Sequence, residues 1–177
     1  MNRLRIATAW LDGCSGCHMS FLDIDERLAL LAEKIELVYS PLVDAKQIPE
    51  GIDVALIEGA VSTEHDLERL LELRRNSRQL ISLGDCAVSG NVPAMRDIYP
   101  LKALRDCVYV DNAAIKGALP TREVPKLLPQ CRPLHEFVAV DLYVPGCPPS
   151  AGTIFTVLSD LLEGRVPQIS QLTRFGA

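Results

Sequence analysis

Positive charge is in short supply in this 177-residue chain. Eighteen lysines and arginines stand against 23 aspartates and glutamates, which leaves a formal net charge of −5 at pH 7. The charges are scattered, and a nucleic-acid footprint needs a basic stripe, so no nucleic-acid partner is expected. Long apolar runs are missing too, with none near the ~18–20 residues that cross a bilayer, so no membrane partner is expected either. Arg3 and Arg5 precede a short apolar stretch that runs into Asp12 without a cleavage-type ending; it reads as a strand, not a signal peptide. Internal repeats and low-complexity segments are absent. Hydrophobic residues make up 48% and charged residues 23%, a globular composition. The length suits one domain that buries roughly 70% of its unfolded surface.

Five short apolar runs read as buried strands: 4–11, 35–40, 54–57, 79–83 and 138–144. Near-continuous apolar runs suit parallel strands covered on both faces. Between them, Phe21, Leu22, Ile24, Leu28 and Leu31 give an apolar helix face across 19–34. Leu67, Leu70, Leu71 and Leu73 do the same over 64–76, and a third helix is expected over 150–163, between Pro149 and Gly164. Six of the twelve prolines fall between 92 and 134, so that region reads as a long excursion with short helices. The expected fold is α/β with right-handed crossovers, a domain over 1–165 and a surface tail over 166–177.

What is present in quantity is cysteine: Cys14, Cys17, Cys86, Cys107, Cys131 and Cys147. With no secretion signal, a cytoplasmic location is expected, and its reducing conditions disfavour disulfides. Cys14 and Cys17 follow the first strand in Asp12-Gly13-Cys14-Ser15-Gly16-Cys17. Cys86 follows the fourth in Gly84-Asp85-Cys86, and Cys147 the last in Pro145-Gly146-Cys147-Pro148-Pro149. In a parallel sheet these positions share the carboxyl edge, where open α/β folds hold their ligands. Four converging thiolates select an iron–sulfur cluster or zinc. A structural zinc site usually draws on two close Cys-x-x-Cys pairs and here there is one, while the flanking glycines let backbone N–H groups approach cluster sulfur, so the cluster is the better fit.

Other readings stand beside it. Cys14 and Cys17 alone would fit a dithiol oxidoreductase. A flavodoxin-like sheet could place FMN phosphate in the loop after the first strand, where only Ser15 and Ser20 offer hydroxyls. Cys107 and Cys131 lie in the broken middle region and read as small buried residues. His18 reads as a solvated residue at a helix start, His65 and His135 as surface residues, and Trp10 as core. Glu58 closes the third strand at the cysteine edge, where it could cap a loop or carry protons.

Taken together, Cys14-Ser15-Gly16-Cys17, the run from Gly84 to Pro93, and Pro145-Gly146-Cys147-Pro148-Pro149 resemble the small subunit of [NiFe] hydrogenases. The stretch from Trp10 to Glu26 is similar to the small (delta) subunits of the NAD-reducing, bidirectional soluble branch. The resemblance spans residues 4 to about 165. It implies a flavodoxin-like, doubly wound parallel sheet of order 2-1-3-4-5, with helices on both faces. It also implies that Cys14, Cys17, Cys86 and Cys147 hold one [4Fe–4S] cluster. The nickel–iron site would lie on a separate large subunit, and the diaphorase and iron–sulfur subunits would be further partners. The role implied is electron relay between that nickel–iron site and an NAD-reducing diaphorase module. Membrane-bound relatives carry a second cluster domain and a twin-arginine leader, and neither is found here, which implies a single cluster. The related subunit of respiratory complex I has adjacent cysteines at the first motif, so Cys-x-x-Cys favours the hydrogenase branch. A subunit of this kind should show a partly apolar surface around the cluster edge.

Overall fold

The computed structural model describes residues 3–115 and 117–176. Positions 1, 2, 116 and 177, which include the outer ends of the two expected segments, lie outside the described residues.

The chain begins with strand β1 (Leu4–Trp10), then two short helices, α1 (Gly16–Leu22) and α2 (Arg27–Ala32), and strand β2 (Ile35–Tyr39). The single helix expected over 19–34 is therefore broken. Asp25 adopts a left-handed conformation, with φ 55°, in the turn between the two pieces, and no glycine or proline marks the spot. Next come β3 (Ile52–Glu58), β4 (Val61–Thr63), α3 (Glu64–Asn76), β5 (Ser77–Leu83) and α4 (Gly84–Ser89). Helix α3 starts on a capping box: Thr63 Oγ1 accepts from Asp66 N while the Asp66 carboxylate accepts from Thr63 N.

Strands β2-β1-β3-β5 and a later strand, β7 (Leu142–Val144), form one five-stranded sheet in that order. All its pairings are parallel. Counted along the chain within this sheet, the order is the expected 2-1-3-4-5. The two cores follow from side-chain alternation along the strands. Ile6, Val54, Leu56, Ile81 and Leu83 face one way and meet Phe21, Ile24, Ile154 and Leu158. Ala7, Ala9, Ala55, Ile57 and Leu80 face the other way and meet Leu70, Leu73 and Ala87. Helices thus cover both faces.

The last sheet strand is shorter than its apolar run suggests. The Asp141 carboxylate accepts from Leu80 N at 2.7 Å, taking a ladder position that a backbone carbonyl would otherwise fill. Upstream of it, Phe137, Val138 and Val140 pack into the second core instead of pairing. The excursion over 92–134 holds α5 (Asn91–Ala94), α6 (Leu101–Asp106) and β6 (Leu127–Arg132). Strand β6 pairs antiparallel with β4 in a small second sheet that the sequence pattern does not reveal. After α7 (Ala151–Leu162) the chain folds back through α8 (Ile169–Leu172). Ile169 and Leu172 rest on the first core, so the segment expected as a surface tail is docked. Among the described residues no helix is long and apolar enough to cross a membrane.

Candidate metal centre

Register decides where the cysteine loops emerge. Trp10 pairs with Glu58, Glu58 with Leu83, and Leu83 with Val144, so four parallel strands end level. Cys86 and Cys147 each stand three residues past such an end, and Cys14 and Cys17 lie in the loop and first turn after β1. The loops after β1 and β3 are stitched together by Asp12 N to Ala60 O at 3.0 Å and Ala60 N to Asp12 O at 2.7 Å.

Contacts bring the four thiols onto one rim. A Cβ on Gly84, whose φ is +82°, would sit 2.2 Å from Cys17 Sγ, and one on Gly16 would sit 3.2 Å from Cys14 Sγ and 3.9 Å from Pro148. Gly16 N donates to Cys14 Sγ at 3.4 Å, and Asn91 Nδ2 donates to Cys147 Sγ at 3.7 Å. Burial pushes the Cys17 thiol far up, and the negative charge of Glu58, its hydrogen bond, and Cys86 and Cys14 add to the effect. Cys86 is raised by burial and then by Cys147 and Cys14, partly offset by the Val92 N–H. Burial and neighbouring negative charge thus disfavour ionisation of Cys17 and Cys86; a bound cation reverses that balance and favours the thiolate form of a ligating sulfur. Among the described residues no three His, Cys, Asp or Glu side chains stand close enough to share a single metal ion. The donor set and the glycine-lined cradle fit a bulky sulfur-ligated cluster, and glycine at 84 is required for Cys17 to reach the rim.

Under the rim lies a buried polar chain. Glu58, only 2% exposed, accepts from His18 N at 2.9 Å and so ties β3 to the start of α1. His18 Nδ1 and Glu58 Oε1 are 3.2 Å apart without the alignment of a hydrogen bond. His18 Nε2 lies 2.9 Å from Thr8 Oγ1, whose hydroxyl donates to Ser40 Oγ at 2.8 Å. His18 is thus buried, not solvated. It sits on the inward side of a helix start whose register the sequence does not fix.

Other residues divide. Trp10 is 43% exposed, not core, with its Nε1 donating to Gly13 O. Cys107 is exposed, contrary to expectation, because its short helix lies outside the sheet. Cys131 is buried as expected, and burial pushes its thiol up to about 11. His65 and His135 are at the surface. Ser20, one of two hydroxyls available for a flavin phosphate, donates instead to Pro149 O at 2.5 Å. Two rim residues escape sequence reasoning: Asp85, buried between two cysteine loops, and Asn91. The only advance signal for Asp85 is a carboxylate flanked by Gly84 and Cys86.

The chain has relatives among known hydrogenases. A family model described as NADH ubiquinone oxidoreductase, 20 Kd subunit, matches residues 14–161. The delta subunit of the NAD-reducing hydrogenase HoxS of Cupriavidus necator is 45% identical over 92% of this chain and 80% of its own length. A chain of the F420-non-reducing hydrogenase vhu of Methanocaldococcus jannaschii is 38% identical over 94% of this chain but 58% of its own. The present chain therefore spans little more than half of that methanogen relative. In a crystal structure of an NAD+-reducing [NiFe]-hydrogenase in the H2-reduced state, one chain superposes with a TM-score of 0.94. It shares 44% identity, over 98% of this chain and 99% of that one. A [NiFeSe]-hydrogenase chain of Dm. baculatum, at 19% identity and a TM-score of 0.59, shares the fold. The chain belongs to the NADH ubiquinone oxidoreductase 20 Kd subunit family, within its branch of hydrogenase subunits.

Proposed function

We propose that this chain is the electron-transfer small subunit of a cytoplasmic, NAD-reducing [NiFe] hydrogenase. In this reading Cys14, Cys17, Cys86 and Cys147 hold one [4Fe–4S] cluster. The large subunit carries the nickel–iron site on one side, and diaphorase and iron–sulfur subunits stand on the other. The observation that carries the reading is the level ending of β1, β3, β5 and β7, which gathers three cysteine-bearing loops on one rim. The cluster, when bound, supplies one-electron storage at a fixed position.

The residues of this chain do the rest. The four thiolates bind the iron. The Gly16 N–H and the Asn91 amide donate toward sulfur, which stabilises negative charge on the ligands. Glu58 holds the first turn of α1 in place through the His18 N–H, fixing Cys17 against Gly84. Trp10, Met19 and Val92, all in segments next to the rim, leave apolar side chains exposed, as a surface covered by a partner subunit requires.

The test is Cys86→Ser in the assembled enzyme. H2-dependent NAD+ reduction is expected to fall by more than the ~10–100-fold that losing an outer-shell partner of a metal ligand costs, because a ligand itself is removed. Subunits should still assemble. Full turnover with an intact cluster spectrum would contradict the assignment.

A further inference from the structure

Asp85 is 2% exposed and stands between Gly84 and Cys86, yet both its carboxylate oxygens are occupied by N–H donors from distant parts of the chain. Oδ1 accepts from Gly146 N at 2.7 Å, next to Cys147. Oδ2 accepts from Gly176 N at 2.9 Å. The backbone closes the same joint, with Asp85 N donating to Gly146 O at 2.9 Å. The segment that brings Gly176 here is fastened twice more: Thr173 Oγ1 donates to Pro145 O at 2.8 Å, and Thr153 Oγ1 to Leu172 O at 3.1 Å. One side chain thus links the Cys86 turn, the Cys147 turn and the segment beyond α8.

Only a carboxylate can do this. Two N–H groups point at its two oxygens, and an asparagine would turn its own NH2 against one of them. Buried hydrogen bonds to a charged acceptor are the strong kind. Among the described residues the apolar contacts of that segment with the first core end at Leu172, so packing on that core does not carry residues 173–176 past α8 to the rim.

We propose that Asp85 is a positioning residue of the metal centre, and that residues 173–176 form a clasp which, acting through Asp85, holds the Cys86 and Cys147 turns at fixed separation. The proposal rests on the cluster reading above. With the clasp engaged, two ligand loops move as one body. With it gone, each loop opens alone and iron is lost through the wider opening.

The test uses the full chain in its complex, purified anaerobically, with three variants: Asp85→Asn, truncation after Leu172 (which keeps α8 on the core), and both together. Iron release to a ferrous chelator is expected to speed up roughly tenfold in each single variant, the fold-change of one buried charge-assisted bond. Truncation should add little in the Asp85→Asn background, since the clasp then has lost its receiver. Thr173→Val, which removes one donor and leaves Asp85 intact, should give a smaller increase of the same sign. Hydrogen exchange at the Gly146 amide is read separately on iron-free protein, and protection should drop in Asp85→Asn and in the truncation. Single-variant effects that multiply in full, or Gly146 exchange unchanged by either, would overturn the clasp. A parent chain without iron would overturn the cluster reading instead, with the exchange arm still reporting on the tether.

Discussion

At the scale of single residues, the rim depends on side chains that are small or fully bonded. Gly84 combines a φ of +82° with a Cβ position 2.2 Å from Cys17 Sγ. Gly84→Ala should therefore cost about 1–3 kcal/mol from backbone strain alone and displace Cys17. The expected outcome is a lower denaturation midpoint together with reduced iron content; normal iron at normal stability would contradict the cradle. Thr8 makes a different prediction. Its hydroxyl serves both His18 and Ser40 in a buried setting, so the isosteric Thr8→Val takes the partner of His18 Nε2 away, while Ser40 Oγ keeps the Leu42 N–H. That should cost about 1–3 kcal/mol for the one desolvated ring nitrogen, measured by urea unfolding. A change within a few tenths would mean that the His18 ring does not depend on this contact. Legibility at this scale was uneven. The rim positions of the four cysteines could be read because glycine and proline flank them at strand ends. His18 could not, since a residue at a helix start points inward or outward according to a rotation the motif does not encode. Cys107 failed for the same kind of reason: its burial hinged on tertiary placement of an irregular segment.

At the scale of elements, the parallel strands were legible from apolar runs, while their boundaries depended on polar side chains that imitate backbone. Asp141 is the clearest case. Burial raises its carboxyl, but the Leu80 N–H and the Arg74 guanidinium outweigh that and hold it below the usual carboxylate range. Its anchoring of β7 is therefore fully present above the ordinary value of ~3.9 and is lost as pH falls through the lower folded value. The stability gap between the parent chain and Asp141→Asn should be constant near neutrality and narrow below pH ~4. Denaturant midpoints across that range check this, and a gap that widens on acidification would reverse the assignment. Helix α3 could be read from its leucine spacing, and the Thr63–Asp66 cap of the structure marks its start. The break between α1 and α2 could not, because a left-handed Asp25 carries no warning in composition. The β4–β6 pair was equally hidden, since its partners are far apart in sequence and only one residue of β6 is buried.

At the scale of the whole molecule, the sheet order came with the family resemblance, while the convergence of three loops followed from topology, because a parallel sheet must emit all its carboxyl ends on one side. What topology alone could not supply is how those loops are held once they arrive. Buried carboxylate-to-amide bonds of Glu58 and Asp85 do part of that work, and the segment beyond α8 adds the Gly176 N–H and the Thr173 hydroxyl. The exposed apolar residues beside the rim fit the proposed boundary with a partner subunit, where a redox group is useful only if its neighbours stand at fixed distances. The central claim is that four named sulfurs hold one four-iron cluster. The direct measurement is iron and acid-labile sulfide per chain, with EPR of the reduced, anaerobically purified protein, for the parent and for each of the six cysteines changed to serine. The account predicts about four iron and about four sulfide per chain in the parent, Cys107→Ser and Cys131→Ser, with loss or an altered spectrum in Cys14→Ser, Cys17→Ser, Cys86→Ser and Cys147→Ser. A parent that binds one zinc and no sulfide, or iron indifferent to Cys86 and Cys147, would contradict it.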